Sequence, residues 1–199
     1  MVTADLINIG LYTLFMTEII NIHDIDEKEI LNSIRCGEII IYPTDTIYGI
    51  GCNALNEEAV MKIREIKQRN DKPFSVIAPS KLWISNNFVI KKSYLDKLPG
   101  PFTYVINAKK KNVVSNAVVS GNKIGVRIPD HPFYEIIQKA KVPFVTTSVN
   151  VTGRKPYLAI RKIPRRIMNM VDIAIDAGTL DNSPSTVFDL TKELPIILR

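Results

Sequence analysis

The apolar positions along this chain form short β-branched runs separated by stretches with helical spacing, and the two kinds alternate. Residues 18–22 read as a first strand. Asp26-Glu-Lys-Glu29 has the form of a capping box, opening a helix that stops before Gly37. Residues 38–42, Glu-Ile-Ile-Ile-Tyr, form a run suited to a fully buried strand. Asn56 caps a second helix, with Leu55 and Val60 spaced as a hydrophobic staple and Val60, Ile63 and Ile66 on its inner face. Residues 74–78 predict a strand, and 93–98 a short helix stopped by Pro99-Gly-Pro101. Residues 103–108, 124–128 and 143–148 predict strands, and 132–141 a helix with proline at its start. A helix over 164–171 precedes late strands at 173–176, 186–190 and 196–198. Alternation early and strands gathered late predict an α/β (α+β) chain: one layered domain, a twisted mixed sheet flanked by helices.

Length and charge narrow the picture. The 199 residues suffice for one domain with a full core, and 46% hydrophobic with 23% charged residues is a soluble globular composition. A formal net charge of +6 favours polyanions or anionic small molecules as partners, a balance that a merely basic protein also shows. Cys36 and Cys52 cannot build a disulfide framework, and His23 and His131 stand in no ligand spacing, so no protein-held metal site is expected. A reducing, cytoplasmic compartment is the simplest reading. Residues 7–16 are fairly apolar but have neither a basic leader nor a small-residue cleavage pattern, and no apolar run is long enough to span a bilayer. Residues 1–16 are therefore expected to be an N-terminal arm or a misassigned start, with Met16 as the first residue, and 17–199 the domain.

Familiar nucleotide motifs fail. Gly49-Ile-Gly51-Cys-Asn-Ala54, with Asp71 downstream, fits a dinucleotide fingerprint in letters only. Its glycines should lie in the strand-to-helix turn, yet Pro43 to Tyr48 intervene and the helix cap comes later, at Asn56. No lysine and hydroxyl follow a glycine loop, and no G-x-S-x-G elbow is present.

Three pieces rich in anion-binding groups remain. Arg64, Lys67, Arg69 and Lys72 gather at the end of the Asn56 helix, either as an anion site or as solvated cations complementing the helix terminus. Thr146-Thr-Ser148-Val-Asn150-Val-Thr152-Gly153 follows a buried strand, at the carboxyl end where open α/β sheets bind ligands, or forms an ordinary polar turn. Ser183-Pro-Ser185-Thr186 leads into a strand, as a site or as a hydroxyl turn.

Lys67-x-Arg69 followed far downstream by Ser148-x-Asn150 resembles the K-x-R…S-x-N signature of the YrdC/Sua5 family, the threonylcarbamoyl-AMP synthases. Other blocks occur in the family's order: Tyr42-Pro-Thr-Asp-Thr-Ile-Tyr-Gly-Ile-Gly51, Lys72-Pro-Phe74, Leu98-Pro-Gly-Pro-Phe-Thr103, Gly125-Val-Arg-Ile-Pro129 and Ser185-Thr-Val-Phe-Asp189. The resemblance covers residues 17–199 and is to the short, single-domain YrdC type. It implies that L-threonine, bicarbonate and ATP are joined into threonylcarbamoyl-AMP with release of pyrophosphate, feeding the t6A modification of tRNA. Mg²⁺ would accompany the phosphates, and other proteins would transfer the product to tRNA.

By the same resemblance, Lys67 and Arg69 would clamp the triphosphate and stabilise departing pyrophosphate. Asn150 and Arg199 would bind ATP; Thr44, Arg127, Ser148 and Ser185 would bind threonine, with Thr46 and Ser183 as neighbours. Arg127 would pair with the threonine carboxylate, which its planar fork suits. Asn70 stands where the family often has proline, Val149 where alanine is common, and Arg199 is the last residue. Lys67→Ala and Arg69→Ala are each expected to remove most pyrophosphate release and leave the fold intact, both being expected as exposed cations.

Arg154, Lys155, Arg161, Lys162, Arg165 and Arg166 form a run without an acid among them, readable as a tRNA contact or as a solvated basic rim. Rival readings are a non-catalytic module binding double-stranded RNA or tRNA, and a YciO-like relative acting on another carbamoyl-type substrate.

Overall fold

The computed structural model describes residues 17–69, 72–119 and 121–199. The expected arm over 1–16, and Asn70 and Asp71, lie outside the described residues. The strands are β1 Glu18–Asn21, β2 Ile40–Tyr42, β3 Gly49–Gly51, β4 Ser75–Ile77 and β5 Phe102–Asn107. They continue with β6 Lys123–Arg127, β7 Phe144–Ser148, β8 Ile173–Asp176, β9 Thr186–Asp189 and β10 Ile196–Ile197. The helices are α1 Glu27–Cys36, α2 Glu57–Lys67, α3 Lys81–Asn87, α4 Lys92–Leu95, α5 Phe133–Ala140 and α6 Arg165–Met168.

The strands join in one mixed sheet, ordered β1-β8-β2-β3-β7-β4-β6-β5-β9-β10. Four neighbouring pairs, β1/β8, β2/β8, β4/β6 and β5/β9, are parallel and the others antiparallel. Helix boundaries follow local chemistry. The Asp26 carboxylate accepts from the Lys28 and Glu29 amides, and Gly37, at φ 86°, closes α1 onto the Ser33 and Ile34 carbonyls. Asn56 caps α2 by accepting from the Ala59 amide at 3.1 Å. Leu55 stays 51% exposed, so the expected staple against Val60 buries little.

Three elements depart from the sequence reading. β3 holds two glycines, poor strand formers, and exists because neighbouring strands demand their small size. A Cβ on Gly51 would lie 2.0 Å from the Val145 carbonyl oxygen. α3 went unread because only Ile84 of its residues is buried, leaving no apolar stripe; the Ser80 hydroxyl caps it, accepting from the Trp83 amide at 3.0 Å. The helix expected over 164–171 is the single turn of α6, after which Met170 and Val171 donate three residues back in a tightened turn.

Period-two alternation sends successive strand residues to opposite faces. Ile39, Ile41, Ile50, Val76, Val145 and Ala174 join α2 in one core. Ile40, Tyr42, Ile77, Phe144, Ile173 and Ile175 face α1 and α5 in the other. Along that second face the chemistry changes within single strands. Phe144 lies in the helix-covered core, whereas Thr146 and Ser148, on the same side, line a cavity; Ile77 and Ser75 repeat the switch on β4. The neighbouring strands extend this polar floor through Arg127 of β6 and Thr103 of β5, and Val187 of β9 closes it with an apolar side chain.

Candidate active site

The cavity, about 360 Å³, collects every residue assigned a binding role from the sequence: Thr44, Lys67, Arg127, Ser148, Asn150, Ser185, Arg69 and Arg199, with Thr46 beside them. Ser183 is exposed and is not among the lining residues. The site lies on the open sheet face as well as at strand ends, a correction to the strand-end crevice expected from the turn after β7. Thr146 and Ser148 are two residues apart and Ser75 pairs with Thr146, so three hydroxyls share one side of two adjacent strands.

Lys67 departs most from expectation. It is not an exposed cation: the last residue of α2 is 2% exposed. Its Nζ donates to the Ser148 carbonyl oxygen at 2.5 Å and to the Asn150 side-chain oxygen. The Ser148 hydroxyl donates to the same Asn150 oxygen at 2.7 Å, and the Asn150 amide nitrogen donates to the Arg154 carbonyl. From the other side, the Thr152 amide and hydroxyl both donate to the Lys67 carbonyl, at 3.1 and 2.9 Å. Helix α2 and the turn after β7 are thus locked together through the signature residues. Burial, then the nearby Arg69 charge, push the Lys67 ammonium down from 10.5 to about 7.

Arg69 is half-buried. It donates from Nε to the Lys72 carbonyl at 3.1 Å and from Nη2 to the Pro73 carbonyl at 2.5 Å. Its guanidinium and that of Arg64 lie over the Phe74 ring, at 5.0 and 4.9 Å from the centroid. Arg64 donates to the Ala117 and Arg69 carbonyls, so it shapes the loop that presents Arg69. Burial, then Arg64, lower the Arg69 pKa.

The second cationic cluster lies across the hydroxyl floor. Arg127 is buried and ion-paired through Nη2 to Asp45 at 2.5 Å. Its Nη1 reaches the Thr46 hydroxyl at 3.4 Å, and the Thr44 and Thr46 hydroxyls are 2.9 Å apart. Thr103 and Ser185 hydroxyls are 2.9 Å apart, and the Arg199 guanidinium donates to the Ser185 carbonyl at 3.3 Å. Burial, then Arg127, lower the Arg199 pKa.

Sequence reasoning missed Ser75 as a cavity residue and Asp45 as the partner of Arg127, and it gave Thr103 no role; Thr146 it held within the candidate turn after β7. Hydroxyls alternating with apolar residues along buried strands were the available signal, legible only once strand order is known. Among the described residues no Asp or Glu side chain lines the cavity, and no group of three or more His, Cys, Asp or Glu side chains could hold a metal ion. Among those residues, too, no helix is long and apolar enough to cross a membrane.

The Sua5/YciO/YrdC family model, described as telomere recombination, matches residues 32–199. A Methanocaldococcus jannaschii protein, provisionally named a threonylcarbamoyl-AMP synthase, is 38% identical over 179 residues, covering 87% of this chain and 82% of that protein. The crystal structure of Pyrococcus abyssi Sua5 complexed with L-threonine matches with a TM-score of 0.81 at 30% identity over 92% of this chain, which spans only 57% of that longer protein. The crystal structure of Escherichia coli YciO matches with a TM-score of 0.79 at 25% identity, over 92% of this chain and 94% of that one. A family match across most of the sequence, and a 38% identical relative covered over most of its length, place the chain in the Sua5/YciO/YrdC family.

Proposed function

We propose that this chain is a threonylcarbamoyl-AMP synthase. The amine of L-threonine takes up bicarbonate with loss of water, giving a carbamate. A carbamate oxygen then attacks the α-phosphate of ATP, and the bond to the bridging oxygen breaks, releasing pyrophosphate and threonylcarbamoyl-AMP. The observation that carries this reading is the buried Lys67–Ser148–Asn150 cluster beside Arg69, facing Arg127 and Arg199 across a neutral floor. Two cationic ends separated by hydroxyls suit a triphosphate at one end and an amino-acid carboxylate at the other.

Lys67 and Arg69 bind the β- and γ-phosphates and offset the charge that grows on the leaving pyrophosphate, where pre-oriented donors act most strongly. Asn150 is held by its contact with Lys67 and contributes to ATP binding, while Ser148 lies between the two substrates. Arg127 takes the threonine carboxylate, with Thr44 and Ser185 around the amino acid. Arg199, whose guanidinium donates to the Ser185 carbonyl, adds a second cation at the Arg127 end and would contact ATP only where the nucleotide extends across the floor. Mg²⁺ would arrive bound to ATP, with phosphate and water oxygens as its ligands, since no Asp or Glu among the described residues lines the cavity, and would neutralise phosphate charge.

A module that only binds RNA has no need of a lysine buried in a small-ligand cavity; its cations belong on the surface. The six exposed cations from Arg154 to Arg166, none in an ion pair among the described residues, supply such a surface for tRNA beside the cavity. Product identity tests the proposal: with L-threonine, ATP and Mg²⁺, isotope from labelled bicarbonate should enter an adenylate. Pyrophosphate release without such an adenylate would instead indicate a YciO-like substrate.

Lys67 also predicts proton linkage. The free site holds it near a pKa of about 7, so at pH 8 it is mostly neutral. Phosphate charge beside it favours the protonated form, so ATP binding at pH 8 should take up roughly one proton and weaken as pH rises further. Calorimetry in buffers of different ionisation enthalpy reads the uptake, and Lys67→Met should abolish it.

A further inference from the structure

Asp45 has a carboxylate engaged at both oxygens. Oδ1 lies 2.5 Å from Arg127 Nη2, and Oδ2 accepts from the Asp130 amide at 3.1 Å. Its backbone carbonyl accepts from the Asn182 side-chain amide at 3.2 Å. One residue therefore joins the β2–β3 loop, the turn after β6 and the segment preceding Ser185. The Arg127 and Asp45 side chains keep only 7% and 10% of their exposure, too little for water to weaken the pair appreciably.

The two partners are unequally satisfied. Arg127 Nη1 has one long bond to Thr46, and Nε is buried without an acceptor among the described residues. A buried N–H without an acceptor is costly, so the guanidinium is held with donor capacity in reserve, and Arg127 and Thr46 both line the cavity. Arg199 lies close enough to feel the Arg127 charge, so a second cation stands beside the guanidinium. Left alone, a long flexible arginine beside another cation would spread over several orientations; a carboxylate fixed at both oxygens removes that freedom.

We infer that Asp45 is a positioning residue for the amino-acid end of the site: it pins one amino group of Arg127 and directs the remaining donors at the substrate carboxylate. This rests on the proposed reading that the substrate is L-threonine.

The test is L-threonine binding by calorimetry, together with steady-state pyrophosphate release, in the full chain and in Asp45→Asn. Asparagine keeps the size and the acceptor for the Asp130 amide but loses the charge. The Kd and KM for L-threonine should rise by about tenfold or more, with the KM for ATP within about threefold. Adding Asp45→Asn to Arg127→Gln should change threonine affinity by less than about twofold, because no guanidinium remains to be aimed. An equal rise in both KM values, an unchanged threonine KM, or a further loss in the double variant would overturn the inference. Should Asp45→Asn alone fail to fold, the comparison of Arg127→Gln with the double variant decides it, since the double variant leaves no unpaired buried charge. Failure of the unaltered chain to bind L-threonine would remove the underlying reading and the inference with it; binding that Asp45→Asn leaves untouched would remove the inference alone.

Discussion

Lys67→Ala should lower kcat for pyrophosphate release by about 10³-fold, the scale on which a single pre-oriented donor to transition-state charge is worth. The lysine is placed by bonds to Ser148, Asn150 and Thr152, and it lines the cavity. Stability should change little, for a reason opposite to the one expected of an exposed cation. Burying this ammonium already costs free energy, as its lowered pKa records, and that relief offsets the loss of a donor to the Ser148 carbonyl, while the Asn150 oxygen keeps the Ser148 hydroxyl. Thermal unfolding should show a midpoint within a few degrees of the unaltered chain. Activity within about tenfold of the original in a folded variant would contradict the placement of Lys67 at the leaving group.

Gly51→Ala should be the most damaging single methyl in the fold. Its Cβ would sit 2.0 Å from the Val145 carbonyl oxygen and 2.5 Å from the Phe144 ring. The first contact is with backbone that cannot rotate away, in a ladder where the Val145 amide donates to the Cys52 carbonyl at 2.8 Å. β3 and β7 would have to separate, and with them the register that places Ser148 opposite Gly49. A loss of at least about 3 kcal/mol is expected from overpacking joined to broken strand pairing. Urea unfolding measures it; a loss below about 1 kcal/mol would mean that the sheet yields at this point.

Much of the fold was legible because local chemistry and tertiary role agree. The run 173–176 reads as a strand and is one, and Asp26, Gly37 and Asn56 mark helix ends by side-chain and backbone bonds that need no tertiary partner. β3 was illegible because its glycines are selected by what lies against them, a fact about β7 and Tyr42. The site divides likewise. The residues of the K-x-R and S-x-N blocks meet in one cavity, yet nothing local to Lys67 distinguishes it from the exposed cations around it; its burial comes from Ser148, Asn150 and Thr152, more than 80 residues away. Asp45 shows the same limit. It stands between two threonines in a legible motif, but its partner Arg127 is 82 positions on, and only the sheet order brings them together.

The central claim is that this cavity couples L-threonine and bicarbonate to the α-phosphate of ATP. Pyrophosphate release from ATP and Mg²⁺, followed with each of the other two substrates present or omitted, tests it most directly. The account predicts release that requires L-threonine and bicarbonate together and stays at background when either is missing. Release indifferent to L-threonine, or none under any combination, would contradict it.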